Sequence, residues 1–582
     1  MGKIEGEARH EILRRGEKHA HQSRLVVDFY RIRRQLAYPV PIRECSFPRF
    51  PTRLSTWYPW DCWLAWAMEE RVLSLGWAAT LSDAPRLRFS TEADLQGIAA
   101  WKYDDLEKTD GLAVSHLVRM LVTAKEHWAW LSFTTHAAID KGLNHLISRF
   151  AAWLEAERDW WRRRESDPDH ADFSNPLHNI HFIQTVGLCL AARNGKHSCS
   201  EWLESHMRRF ALALLDQHAS GVSEGVSYDG YVLDFMMDWI TGAPAAMREA
   251  ILIHPELQEI LNQPAIIGAP GNLMQVAPLG DVEALEMPFH VSALAKWRRL
   301  QNSGRHDWQL SQFDPRFLRT DALATIIAGP AHRADSIAPV GNRTRAAIVL
   351  RSGDTLTDTA VAMSAHAAQM GHLHHDNGSI VIAAGGEWII NDPGYQQYMG
   401  TSEREFSVGP AAHNAPVING IAQTKRAGRI IQEPAMVNGS WHAKHDLRGC
   451  YDLPLTKCTR SLWLTGNSLV VVADEISGSG IDEITYHWHG HSDAAWWVED
   501  GIALVCLNNT QLWIRCMNCA LDAAQVDRMR GSRGHLTLQV RIKGAPSQSV
   551  WWVFGRDEAT LRTLTMNDDE VPGYSARHVS TE

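Results

Sequence analysis

From residue 57 to about 305, apolar positions return at the period of a helix with one buried face. The stretch "WDCWLAWAMEERVLSLGW" sets Trp63, Trp66, Ala67, Val72 and Leu73 at spacings that come back to one side. Similar stripes run through "SHLVRMLVTAKEHWAWL", "LNHLISRFAAWLEAERDWW", "HNIHFIQTVGLCLAA", "WLESHMRRFALALLDQHA" and "YVLDFMMDWI", with short polar joints between them. No strict repeat is visible, so the pattern predicts antiparallel helix pairs curling into an α/α toroid rather than a solenoid of a common family. Between about 303 and 345 the periodicity gives way to Gly, Pro, Asp and Asn, as in a connection. Beyond it the pattern is one of short apolar runs: "AAIVLRS", "SIVIAA", "EWIIND", "APVING", "SLVVVADEI", "ITYHWHG", "QLWIRCM", "HLTLQVRI" and "SVWWVFG". Such regular short strands predict an antiparallel β-sandwich. The expected organisation is an N-terminal extension (1–56), the toroid (57–320), a linker (321–344) and the sandwich (345–582).

Three stretches of this pattern carry candidate chemistry. "SIVIAA", Gly385, Gly386 and "EWIIND" read as a hairpin in which a two-residue Gly-Gly turn sets Asp392 opposite Ser379. The preceding "GHLHHD" packs His372, His374, His375 and Asp376 together. It lies too far from Asp392 if it continues the strand, so it folds back as a loop or the pairing differs. With His413 of "AAHNAPVING", His374 and Asp392 form a nitrogen, oxygen, nitrogen set of the kind zinc accepts, the alternative being hydrogen-bonded loop histidines. In "SNPLHNIHFIQTVGLCLAARN", Asn175 and Pro176 read as a helix start, with Ile180, Gln184, Gly187, Leu188 and Ala191 as its buried stripe. His178, Asn179 and His181 then cluster on the first turn. Farther on, "SEGVSYDGYVLDF" sets Glu224 ahead of Tyr228 and Tyr231 at helical spacing.

Composition narrows the partners. A net charge of -10 gives no reason to expect nucleic acid, and a densely sulfated polyanion would need a locally basic cleft. "WWRRRE" at 160–165 is either such an anion site or a solvated helix end. The 24 tryptophans suit sugar rings as well as helix interfaces. Nine scattered cysteines argue against a disulfide framework, and Cys516 with Cys519 is an isolated CxxC without a second pair. No run is long enough to span a membrane and the first twenty residues hold no secretory core. A cytoplasmic location is the expectation for the sequence as it stands, and a periplasmic or secreted one if a leader has been trimmed.

Taken in order, "GHLHHD", an apolar strand, "NDPGYQQY" and "AAHN" before a strand resemble the C-terminal signature of the heparinase II/III-like polysaccharide lyases. The resemblance implies a toroid followed by a sandwich, and β-elimination on uronate-containing glycans. It gives His372 the place of the catalytic acid or base, and His374, Asp392 and His413 the places of ligands to a zinc that mainly braces the loop. "NIHFIQT" resembles the segment that supplies an asparagine to neutralise the uronate carboxylate. Asn179 stands in that place, but Ile180 replaces the adjacent histidine, leaving His178 or His181 to substitute. "EGVSY" resembles the segment of the catalytic tyrosine, which favours Tyr228 and keeps Tyr231 as the alternative; His178, His181 and Glu224 would contact substrate. Three other readings stay open: a glycoside hydrolase on the same scaffold, a carbohydrate-binding protein with a decayed site, and a zinc hydrolase.

Overall fold

A computed structural model describes residues 2–37, 58–100, 110–156, 179–282, 287–329, 342–366, 374–393 and 405–564, apart from gaps of one or two residues within these ranges, together with His372. The Asn175–Pro176 helix start, His178, "WWRRRE" and the latter part of "NDPGYQQY" lie outside them. The chain divides into two compact units, and the division is not a single cut. Met1–Gln217, Tyr228–Leu261 and Pro288–Ile337 form one; His218–Ser227, Asn262–Met287 and Ala338–Glu582 form the other.

The first unit is the α/α toroid. Its helix Tyr58–Ser82 packs on Gly2–His21, Pro85–Ala99 and Asp110–His127, and the last of these packs on Asn179–Asn194. The Asn179–Asn194 helix departs from the expected single stripe. His181 to Ala192 are buried on every side and Ile180, placed in the stripe, is the half-buried one. The reason is a position between neighbours: a Cβ at Gly187 would stand 2.3 Å from Oγ of Ser115, so two helices approach there at backbone distance.

The N-terminal extension and the stretch read as a connection both contain helices. Gly2–His21 buries Ile4, Ala8 and Ile12, a one-turn spacing hidden among charges. Within the stretch read as a connection lie the helices Gly304–Ser311 and Thr320–Ala328, the second burying Leu323 and Ile326. Flanking Gly and Pro residues drew the reading away from this short apolar segment.

The second unit is an antiparallel sandwich. One sheet runs in the order Gln525–Arg528, Leu536–Lys543, Glu483–Gly490, Glu387–Asn391, Ile380–Ala384, Thr359–Ser364, Ala347–Arg351. The other runs Arg429–Val437, Ser440–Asp446, Leu455–Leu464, Val470–Gly478, Ser547–Gly555, Thr510–Cys516, Ile502–Leu507, Ala495–Glu499. Ile382 and Trp488 of the first sheet share a core with Leu462, Val472 and Trp552 of the second. The first sheet is also covered behind, where Val349, Ala362 and Val381 meet Ile266, Ile267 and Val276. Strands buried on both faces read as continuous apolar runs rather than alternation, which is why "AAIVLRS" and "SIVIAA" stood out.

Candidate functional site

The hairpin around Gly385 and Gly386 forms as the turn chemistry requires. Both glycines have positive φ, 67° and 81°, and Ala384 pairs with Glu387 and Ala383 with Trp388. One strand pair farther on the register shifts, Ile382 meeting Ile390. Ser379 nevertheless ends beside Asp392, its Oγ 3.5 Å from Oδ2. The histidines come close because the chain ahead of Ile380 is a loop and not a continuation of the strand.

Two buried side chains hold this region. Asn414 donates from Nδ2 to the carbonyls of Ile380 (2.7 Å) and Asn391 (2.6 Å) and accepts from the backbone N–H of His489 (2.9 Å), so it pins three strands beside His413. Arg460 reaches across from the other sheet. Its Nη1 donates to the carbonyls of Gly378 (2.6 Å) and Asn414 (2.7 Å), while Nε and Nη2 form a fork on Asp474. One guanidinium thus joins the loop carrying His372 and His374 to the segment carrying His413.

Within that frame the predicted residues of this unit gather. His413 Nδ1 lies 2.9 Å from Asp392 Oδ2, and the rings of His374 and His413 are 5.4 Å apart. Asp281, which the sequence reading missed, meets two of the histidines: Oδ2 is 2.9 Å from His372 Nδ1 and Oδ1 is 2.8 Å from His374 Nε2. Glu224 Oε1 stands 3.7 Å from His372 Nε2. Burial opposes charge on His374, but the hydrogen bond and negative charge of Asp281, with Asp376 and Asp392 behind them, raise its pKa to about 9. His366 and Asp376 form a further buried pair at 2.9 Å.

The donor types proposed for zinc fit in part. His413 has a buried Nε2 with no hydrogen-bond partner among the described residues, as a ligand nitrogen has before its ion. Each of the two rings holds a carboxylate on one nitrogen, the arrangement that orients metal-ligating histidines. Asp392, however, spends Oδ2 on His413, and among the described residues no group of three His, Cys, Asp or Glu side chains stands in metal-holding geometry.

The toroid holds the other predicted residues. Asn179 opens its helix and is buried with His181. Tyr228 and Tyr231 lie one turn apart on Val226–Gly242. Tyr231 OH is 2.5 Å from His116 Nε2, and Trp66 Nε1 donates toward both, at 2.6 Å to the imidazole and 3.3 Å to the phenol. His116 Nδ1 faces Glu69 at 2.9 Å, and Arg119 grips the same carboxylate at 2.7 and 3.0 Å before continuing to Asp234 and Asp238. Burial lowers His116 to about 4 against the pull of Glu69, so at neutral pH the imidazole is uncharged; with Nδ1–H given to Glu69, Nε2 accepts. A weak sign of this network is legible in the sequence, since Glu69, His116, Arg119 and Asp234 all fall on helices otherwise apolar at those faces.

The sequence of residues 347–574 matches the family described as Heparinase II/III-like, C-terminal. Residues 347–574 belong to the heparinase II/III-like family. "GHLHHD", "NDPGYQQY" and "AAHN" all fall inside this heparinase II/III-like segment, whereas Asp281 and Glu224 lie outside it. Among solved structures, a heparinase III is similar over 85% of this chain and 77% of its own, at 13% identity and a TM-score of 0.57. A second heparinase III matches over 94% and 84% at 12% identity with a TM-score of 0.56. The heparan sulfate lyase HepC of Pedobacter heparinus matches over 94% and 83% at 12% identity with a TM-score of 0.51. What the chain shares with these structures is the fold, toroid and sandwich alike. No curated protein sequence matches it.

Proposed function

We propose that this protein is a polysaccharide lyase that cleaves uronate-containing glycans by β-elimination. The observation that supports it most is the buried cluster of His372, His374, Asp392 and His413, assembled from three separated signature segments inside a heparinase II/III-like domain. The names of the similar structures, heparinase III and heparan sulfate lyase, favour a glycosaminoglycan-like substrate. The net charge of -10 favours a lightly charged member of that class over a densely sulfated one.

The chemistry asks for three things. The proton at C5 of a uronate is hard to remove because the resulting carbanion adjoins a carboxylate; in this reading Asn179 donates hydrogen bonds to that carboxylate, so negative charge spreads as an enolate. A base takes the C5 proton, its electron pair becomes the C4–C5 double bond, the C4–O bond breaks, and an acid protonates the departing oxygen. His372 and Tyr228 fill those two roles, in the order that the stereochemistry of the substrate sets, and Glu224, His181 and His178 contact the glycan. A zinc ion held by His374, His413 and Asp392 would supply charge that fixes the loop, and no chemical step passes through it.

Mass spectrometry of the products tests this reading. Elimination gives fragments whose masses sum to that of the parent chain; fragments that together weigh one water more would mean hydrolysis and overturn it.

A further inference from the structure

Asp281 enters through the turn "PLGDVE". Gly280 ahead of it has φ of +75°, a backbone conformation that a side chain disfavours, and the turn brings the aspartate against the histidine loop. Three separate contacts fix it there. Its backbone N–H donates to the carbonyl of His372 (2.9 Å), Oδ2 meets His372 Nδ1 (2.9 Å), and Oδ1 meets His374 Nε2 (2.8 Å). The residue is 3% exposed, and its two carboxyl oxygens each face one ring nitrogen of the loop. A carboxylate oxygen accepts, so the ring nitrogens at these distances are the donors of the two hydrogen bonds. For His372 that selects the Nδ1–H tautomer and leaves Nε2, the atom on the Glu224 side, to exchange a proton with substrate.

We propose that Asp281 is the positioning residue of the His372 acid–base group, holding the imidazole in one tautomer and one orientation and tying it to His374 through a shared carboxylate. The inference rests on the lyase reading for its catalytic consequence, but the tautomer itself does not depend on any substrate. An asparagine at 281 keeps the shape and can offer an N–H to His372 Nδ1, which moves the ring hydrogen to Nε2 and removes the basic atom from the productive side. A glutamate keeps the charge with a longer reach.

The test uses the full-length protein with ¹⁵N-labelled histidine, the His372 signals being assigned by their loss in His372→Gln. The expected wild-type spectrum has hydrogen on Nδ1 of His372, and Asp281→Asn shifts it to Nε2. On whichever uronate substrate wild type turns over, Asp281→Asn should lower kcat on the order of 10²–10⁴-fold with KM little changed, and Asp281→Glu should recover part of it. A wild-type His372 protonated only at Nε2, or an Asp281→Asn protein that stays folded with unchanged kcat, would overturn the proposal. Wild type lacking lyase activity while His372 keeps its Nδ1–H tautomer would count against the proposed function and leave the positioning role standing.

Discussion

Tyr231 places its phenolic oxygen 2.5 Å from Nε2 of His116, inside the helical unit where the imidazole is wholly buried. A phenol committed to a buried acceptor and ringed by Trp66, Phe235 and Phe289 contributes to packing. On the reading that gives Tyr228 the catalytic place, Tyr231 is the packing residue of the pair. Tyr231→Phe should cost about 1–3 kcal/mol of stability through the lost hydrogen bond and leave most of the turnover. Tyr228→Phe should keep the melting temperature and lose roughly 10²–10⁴-fold in kcat. Paired calorimetry and steady-state kinetics decide it, and the reverse pattern would make Tyr231 the catalytic residue.

His116 sits between Tyr231 and a carboxylate that Arg119 and Arg319 also hold. Replacing it by alanine opens a cavity and strips Tyr231, Trp66 and Glu69 of a partner at once. We expect His116→Ala to lose roughly 2–4 kcal/mol in urea unfolding. A loss well under 1 kcal/mol would mean that the neighbours repack or that water replaces the ring.

Stability should fall in mild acid. Burial is the largest cause that lowers His116, His445 and His487 to about 4, assisted by His366 at His445 and Arg541 at His487, and opposed by Glu69 at His116. In the unfolded chain these groups titrate near 6.5, so between the two values the unfolded state binds more protons. Their contribution is therefore present above about 6.5 and is lost as pH falls toward 4, at about 1.4 kcal/mol per pH unit for each proton taken up. Thermal unfolding from pH 8 to pH 4 should show a melting temperature that declines from about pH 6.5 downward. A flat profile across that window would contradict the buried neutral histidines.

The zinc reading has its own measurement. Elemental analysis of protein purified without added metal should give about one zinc per chain, and His413→Ala should lose it. Chelation should lower the melting temperature without changing the far-ultraviolet spectrum, because the ion would brace a loop and not the sheets. Zinc-free protein that melts at the same temperature as protein supplied with zinc would remove the ion from the account.

The two fold classes were legible because their signals are local. Helical stripes and short apolar runs are written within a dozen residues, and the Gly385–Gly386 turn fixes its hairpin register for two pairs before the shift at Ile382. The Gly2–His21 helix was hidden because its stripe is only Ile4, Ala8 and Ile12 among charged neighbours. The edge hairpin Arg429–Asp446 was hidden because its first strand is largely exposed and carries no apolar alternation strong enough to read. At the site, the signature histidines announced themselves, while Asp281 lies 91 residues from His372 and Glu69 lies 47 from His116. Single carboxylates of that kind gain meaning only from the fold that carries them to an imidazole.

The central claim is elimination, and ultraviolet absorbance tests it most directly. Purified protein mixed with a panel of uronate polymers and oligomers should raise the absorbance of the conjugated C4–C5 double bond with at least one of them, and the rise should vanish in Tyr228→Phe and His372→Gln. New reducing ends without that absorbance, on any substrate of the panel, would contradict the lyase and make the protein a hydrolase.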